Sequence, residues 1–77
     1  MKELLEFIVG SLVDNKEAIK IDVKENDRFI DCLVLVDEAD LGKVVGRNGK
    51  IATAIRTVAR ASARKSDKRV NIKIDKN

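Results

Sequence analysis

The 77-residue sequence has no histidine, tryptophan or tyrosine and only one cysteine. Without histidine there is no Ser-His-Asp or Cys-His nucleophilic centre, and no His/Cys set for zinc. No catalytic residue, metal ligand or cofactor motif stands out, so a protein that is not an enzyme is expected. The lone Cys32 cannot form an internal disulfide and lies in an apolar run, which fits a buried thiol in a reducing compartment. Long hydrophobic runs are missing as well. The stretch Leu4 to Val13 is interrupted by Glu6 and followed by Asp14-Asn15-Lys16, unlike a signal peptide, and nothing approaches the roughly 20 apolar residues that span a bilayer. A soluble cytoplasmic protein is expected. Aromatics are limited to Phe7 and Phe29, both in segments patterned like core, so stacking platforms for bases are not expected.

Acid is missing from one half of the chain. Residues 1–42 carry 5 basic and 11 acidic residues, whereas residues 43–73 carry 10 basic residues and only Asp67 as an acid. Such asymmetry points one surface at a polyanion, with nucleic acid the leading candidate. A chain of this length has room for one core, and buries only about 60% of its unfolded surface, so association with a second copy would add to a marginal stability.

Leu4 or Leu5, Ile8 and Leu12 recur at helical spacing and predict a helix over residues 2–13. From Ala18 the period changes to two: Ile19, Ile21 and Val23 alternate with Lys20, Asp22 and Lys24, an edge strand. Glu25-Asn26-Asp27 makes a turn, and the nearly continuous apolar run from Arg28 to Val36 reads as the central strand. Asp37 is placed to cap a short helix over residues 38–45, with Asp40 and Glu38 in its first turn, and Gly46 ends it. A second helix opens near Asn48 or Gly49, with Ile51, Ala54, Ile55, Val58 and Ala61 as the expected core stripe and Arg56, Arg60 and Arg64 on another face. Ala52, Ala59 and Ala63 then form a flat surface where a second copy could dock. After Ser66-Asp67, Val70, Ile72 and Ile74 alternate in a final strand. The expectation is one α+β domain over residues 1–77 of order αββααβ, a three-stranded mixed sheet with the helices on one face.

The segment Val44-Val45-Gly46-Arg47-Asn48-Gly49 joins the two helices through Gly-X-X-Gly. Glycines at both ends permit a tight left-handed turn and close approach of another backbone. Lys43, Arg47 and Lys50 surround it with charge, and the next helix presents its positive end there. An aliphatic pair, G-X-X-G and an aliphatic helix resemble the type II KH domain. The chain is most similar to the short bacterial single-domain KhpA family, through Asp40-Leu41-Gly42-Lys43-Val44-Val45-Gly46 and Ala54-Ile55-Arg56-Thr57-Val58. The resemblance implies a cytoplasmic, sequence-tolerant binder of single-stranded RNA, an RNA chaperone or post-transcriptional regulator. It also implies a homodimer, and pairing with a larger KH-domain protein of the KhpB type. Ala52 departs from the branched aliphatic residue of many KH domains, which implies a shallower or re-registered groove floor.

In this reading Gly46, Arg47, Asn48, Gly49, Lys43 and Lys50 hold the RNA backbone. Bases lie in an aliphatic groove between Asn71, Ile72 and Lys73 on one side and Val45 with the Ile51 to Ile55 turn on the other. Two alternatives stand beside it: a helix-turn-helix reader of duplex DNA, and a protein interaction module. The second helix begins with Gly49, Ile51, Ala52 and Ala54, which offer almost nothing to read bases with.

Overall fold

In a computed structural model, which describes residues 1–77, the chain folds as helix α1 (Lys2–Leu12), strands β1 (Lys20–Glu25) and β2 (Phe29–Val36), helices α2 (Leu41–Val45) and α3 (Lys50–Ser62), and strand β3 (Arg69–Lys76). This is the expected αββααβ order. Short 3-10 turns at Lys16–Ala18, Glu38–Asp40, Arg47–Gly49 and Arg64–Ser66 join the elements. No helix is long and apolar enough to cross a membrane.

The sheet order is β1-β2-β3, with the apolar strand β2 in the middle as its composition demands. β1 pairs antiparallel with β2, Lys20 opposite Leu35 and Glu25 opposite Ile30. A tight turn closes this hairpin, its Asn26 side chain accepting from the N–H groups of Arg28 (2.9 Å) and Phe29 (2.8 Å). β3 pairs parallel with β2, Phe29 opposite Arg69 and Val36 opposite Lys76, so α2, the glycine loop and α3 lie within the crossover.

Alternation along β2 buries Ile30, Cys32, Val34 and Val36 under the helices, while Phe29, Asp31, Leu33 and Leu35 face the uncovered side. Burial raises the Cys32 thiol above its ordinary pKa, so it packs as a small hydrophobe. On α1 the fully buried positions are Leu5, one of the two residues expected to open the stripe, and Val9, with Val13 just beyond the helix, each of the last two one position on from the expected Ile8 and Leu12. On α3 the correction is larger. Ala52, Ile55 and Ala59, followed by Ala63, are the residues packed on the sheet, whereas Ala54, Val58 and Ala61 are exposed. Small side chains let the helix approach the sheet closely, and Ala59 is 0% exposed. The expected Ala52, Ala59 and Ala63 docking surface is therefore core. Phe7, expected in the core, is 76% exposed, and Phe29 is 37% exposed.

Candidate nucleic-acid interface

The loop between α2 and α3 is built from backbone conformations that few residues adopt. Gly46 has φ 77° and ψ 172°, Asn48 φ 56° and ψ 26°, Gly49 φ 73° and ψ 17°. The Gly46 conformation is essentially reserved for glycine, and asparagine is among the few side chains that tolerate the left-handed region. The Gly46 N–H donates to Gly42 O at 2.9 Å and ends α2; the Gly49 N–H donates to Gly46 O at 3.2 Å and folds the loop back on itself. A Cβ on Gly46 would stand 2.6 Å from Ile51 Cγ1 and 2.9 Å from the Ile51 N, so Ile51 is pressed against the loop backbone. Nothing lies near the corresponding point on Gly49. Only the first glycine is needed for close approach.

Arg47, Asn48 and Lys50 are exposed, and no carboxylate lies within ion-pair distance of Arg47 or Lys50. They flank the start of α3, where the helix dipole adds positive potential. Lys43 is placed differently. Its ammonium bonds the carboxylate of Asp14 and approaches Asp40 Oδ1 at 3.3 Å, and these bonds, Asp14's foremost, raise its pKa. It is spent on a clamp within the protein.

Asp40 is the one buried charged residue. Rather than serving the first turn of α2, its carboxylate accepts the backbone N–H of Asn15 at 2.9 Å and of Asp14 at 3.3 Å. Those bonds, Asn15's first, hold its pKa below the usual carboxylate range. Asp37 caps the turn as expected, accepting from the Ala39 N–H at 2.9 Å, and it also accepts the Asn15 side-chain amide at 2.9 Å. Together the two aspartates tie the end of α1 to the start of α2 and so fix where the loop points. The sequence marked both acids but gave no sign that Asp40 bonds a turn 25 residues away.

A KH-domain family model, that of KhpA and KhpB, matches residues 2–74. The chain belongs to this family. It is 46% identical over 74 residues to the RNA-binding protein KhpA of Oceanobacillus iheyensis, covering 96% of this chain and 99% of that one. Against the RNA-binding protein KhpA of Borreliella burgdorferi it is 44% identical over 72 residues, with coverages of 94% and 88%. Against that of Aquifex aeolicus it is 39% identical over 74 residues, with coverages of 96% and 94%. No solved structure matches the chain.

Within this KH domain the remaining site candidates divide between surfaces. Val45 is half-buried at the end of α2, beside the loop. Ile51 turns toward α1 and lines an apolar groove with Leu4, Phe7, Ile8, Ala54 and Val58. Arg56, on the opposite flank of α3, reaches the Ile72 carbonyl of β3, through Nη2 at 3.3 Å and Nε at 3.4 Å. Ile72 is buried, while Asn71 and Lys73 belong to the uncovered face of the sheet, where the Asn71 amide donates to Asp31 Oδ1 at 2.9 Å. Of the strand-wall trio, only Ile72 adjoins α3. Periodicity left Arg56 among the solvated arginines, because nothing in a sequence reveals a bond to a strand edge 16 residues on.

Proposed function

We propose that residues 1–77 act as one KH domain that binds single-stranded RNA without catalysis, in the cytoplasm, as an RNA chaperone or post-transcriptional regulator. The loop Gly46–Gly49 holds the sugar-phosphate backbone, with Arg47 and Lys50 as cations and the start of α3 behind them. Bases lie along the flank of α3 that faces the Ile72 edge of β3. The observation that carries this reading is the loop itself: Gly46, Asn48 and Gly49 at positive φ, beside two exposed cations that no acid neutralises. Membership of a family whose relatives are named RNA-binding proteins supports it. A helix-turn-helix reading is not favoured, since α2 has only five residues.

The reading includes self-association and pairing with a KhpB-type partner, because the matched family spans both. The α1–α3 groove, with Phe7 and Val58 exposed, is the surface assigned to that contact in place of the buried alanines.

The test is the double substitution Arg47→Asp with Asn48→Asp, which places two carboxylates where phosphates should lie. Aspartate tolerates the left-handed position of Asn48 and suits a helix N-terminus, so the fold should persist. RNA affinity should fall at least tenfold in a titration while the circular dichroism melt stays close to wild type. A variant that melts normally and binds as wild type does would move the backbone site away from the loop.

A further inference from the structure

We propose that Arg56 selects guanine at the base position opposite the middle of β3, a specificity role that rests on the RNA-binding reading above. The Arg69 N–H bonds Arg28 O on the β2 side, so alternation turns the backbone groups of Asn71 and Lys73 into the β2–β3 ladder and those of Val70, Ile72 and Ile74 outward. Ile72 is thus the edge residue that faces α3. A bare edge residue offers one N–H beside one C=O. That pair complements bases that place an amino donor next to a ring acceptor, as adenine and cytosine do.

Here the carbonyl is taken. Arg56 donates to Ile72 O through both Nε and Nη2, the side fork of its guanidinium. The end fork, Nη1 with the second hydrogen of Nη2, has no protein partner, and no carboxylate lies within ion-pair distance. The half-buried Arg56 rises from a helix whose adjoining residues Ala52, Ile55 and Ala59 are locked on the sheet, so the fork is held in place before RNA arrives. The middle of the edge therefore presents donors only. Guanine O6 with N7 offers two adjacent acceptors and no donor on the same edge; cytosine N3 with O2 also pairs two acceptors, but its amino donor shares that edge and would meet a site that presents donors only. Asn71 and Lys73 lie on the other face of the sheet and take no part in this choice.

The test is fluorescence anisotropy with six-nucleotide uridine RNAs carrying a single guanosine, adenosine or 7-deazaguanosine near the middle. Wild type, Arg56→Lys and Arg56→Leu are compared, each checked by circular dichroism melting. Wild type should prefer guanosine over adenosine by about tenfold, and lose most of that preference when N7 is replaced by carbon. Arg56→Lys keeps the charge but not the fork, so it should lose the guanosine preference and bind the guanosine and adenosine RNAs alike. Arg56→Leu frees Ile72 O and should turn the preference toward adenosine. Equal binding of guanosine and adenosine RNAs by wild type, or guanosine preference surviving in a normally melting Arg56→Lys, overturns the assignment. The RNA reading still stands in that case, provided the loop double variant loses binding. Failure of wild type to bind any of these RNAs overturns both.

Discussion

The two glycines of the loop are held by different forces. At Gly46 a side chain would meet Ile51 at 2.6 Å and would also occupy a backbone region open only to glycine. At Gly49 the left-handed conformation is the sole obstacle, because the space beyond it is empty. Gly49→Ala should therefore cost about 1 to 2 kcal/mol in urea unfolding. Gly46→Ala should cost more, since steric overlap adds to strain of about 1 to 3 kcal/mol. Equal losses would show that the Ile51 contact carries no weight. The Asp40 carboxylate gives a second residue-level expectation, in pH. Its folded pKa is depressed by the Asn15 and Asp14 amides and by Lys43, so its stabilising contribution is complete above the unfolded value of about 3.9 and disappears as pH falls through the folded value. Asp40→Asn should melt lower than wild type at pH 7, and the two should converge below pH 4. A gap that persists into acid would assign the loss to packing instead of charge.

At the scale of elements, α3 shows why the outline was readable and its orientation was not. The glycine stop at Gly46, the aspartate cap at Asp37, the period-two runs of β1 and β3 and the apolar run of β2 each express a local backbone rule, and each element formed close to its expected place. Which face of a helix is buried is settled by what it packs against. The rule that larger apolar residues turn inward placed Ile51 and Ile55 against the core but also chose Val58, while close contact between helix and sheet selected Ala52, Ala59 and Ala63. Phe7 and Val58 were left outside together, on neighbouring helices, which no local pattern could reveal. The distinction can be measured. Ala59→Leu should destabilise the fold by about 1 to 3 kcal/mol through overpacking. Val58→Glu should leave the monomer folded and lower the sedimenting mass of any dimer toward 8.6 kDa. A normal melt for Ala59→Leu, or an unfolded Val58→Glu, would reverse the faces assigned to α3.

For the whole molecule, the charge division of the sequence translates only partly into the site. The basic half does contain the loop, yet Lys43 is drawn into the acidic half by Asp14 and Asp40, and Lys68 pairs with Glu25 at 3.0 Å. Counting charges located the positive segment without showing which cations remain free, because ion pairs between segments 29 or 43 residues apart are set by the fold. Within that half Arg47, Lys50, Arg60, Arg64, Lys65, Arg69 and Lys73 are left exposed and unpaired, at the loop, along and beyond α3 and on β3.

The parallel pairing of β2 with β3 also has a kinetic consequence. The β1–β2 hairpin and the glycine loop close over a few residues, but the Phe29 to Arg69 register joins segments 40 positions apart, across the whole crossover. Contacts of that separation are costly to close and tend to form late. The loop can therefore exist in the folding transition state while the edge carrying Ile72 is still undocked, and a ligand that spans both would find its full site only in the native state. Bound RNA should accordingly stabilise the protein by slowing its unfolding, leaving the refolding rate nearly unchanged. In stopped-flow chevrons recorded with and without RNA, the unfolding limb should drop while the folding limb overlays; a faster folding limb would mean that β3 docks before the rate-limiting step.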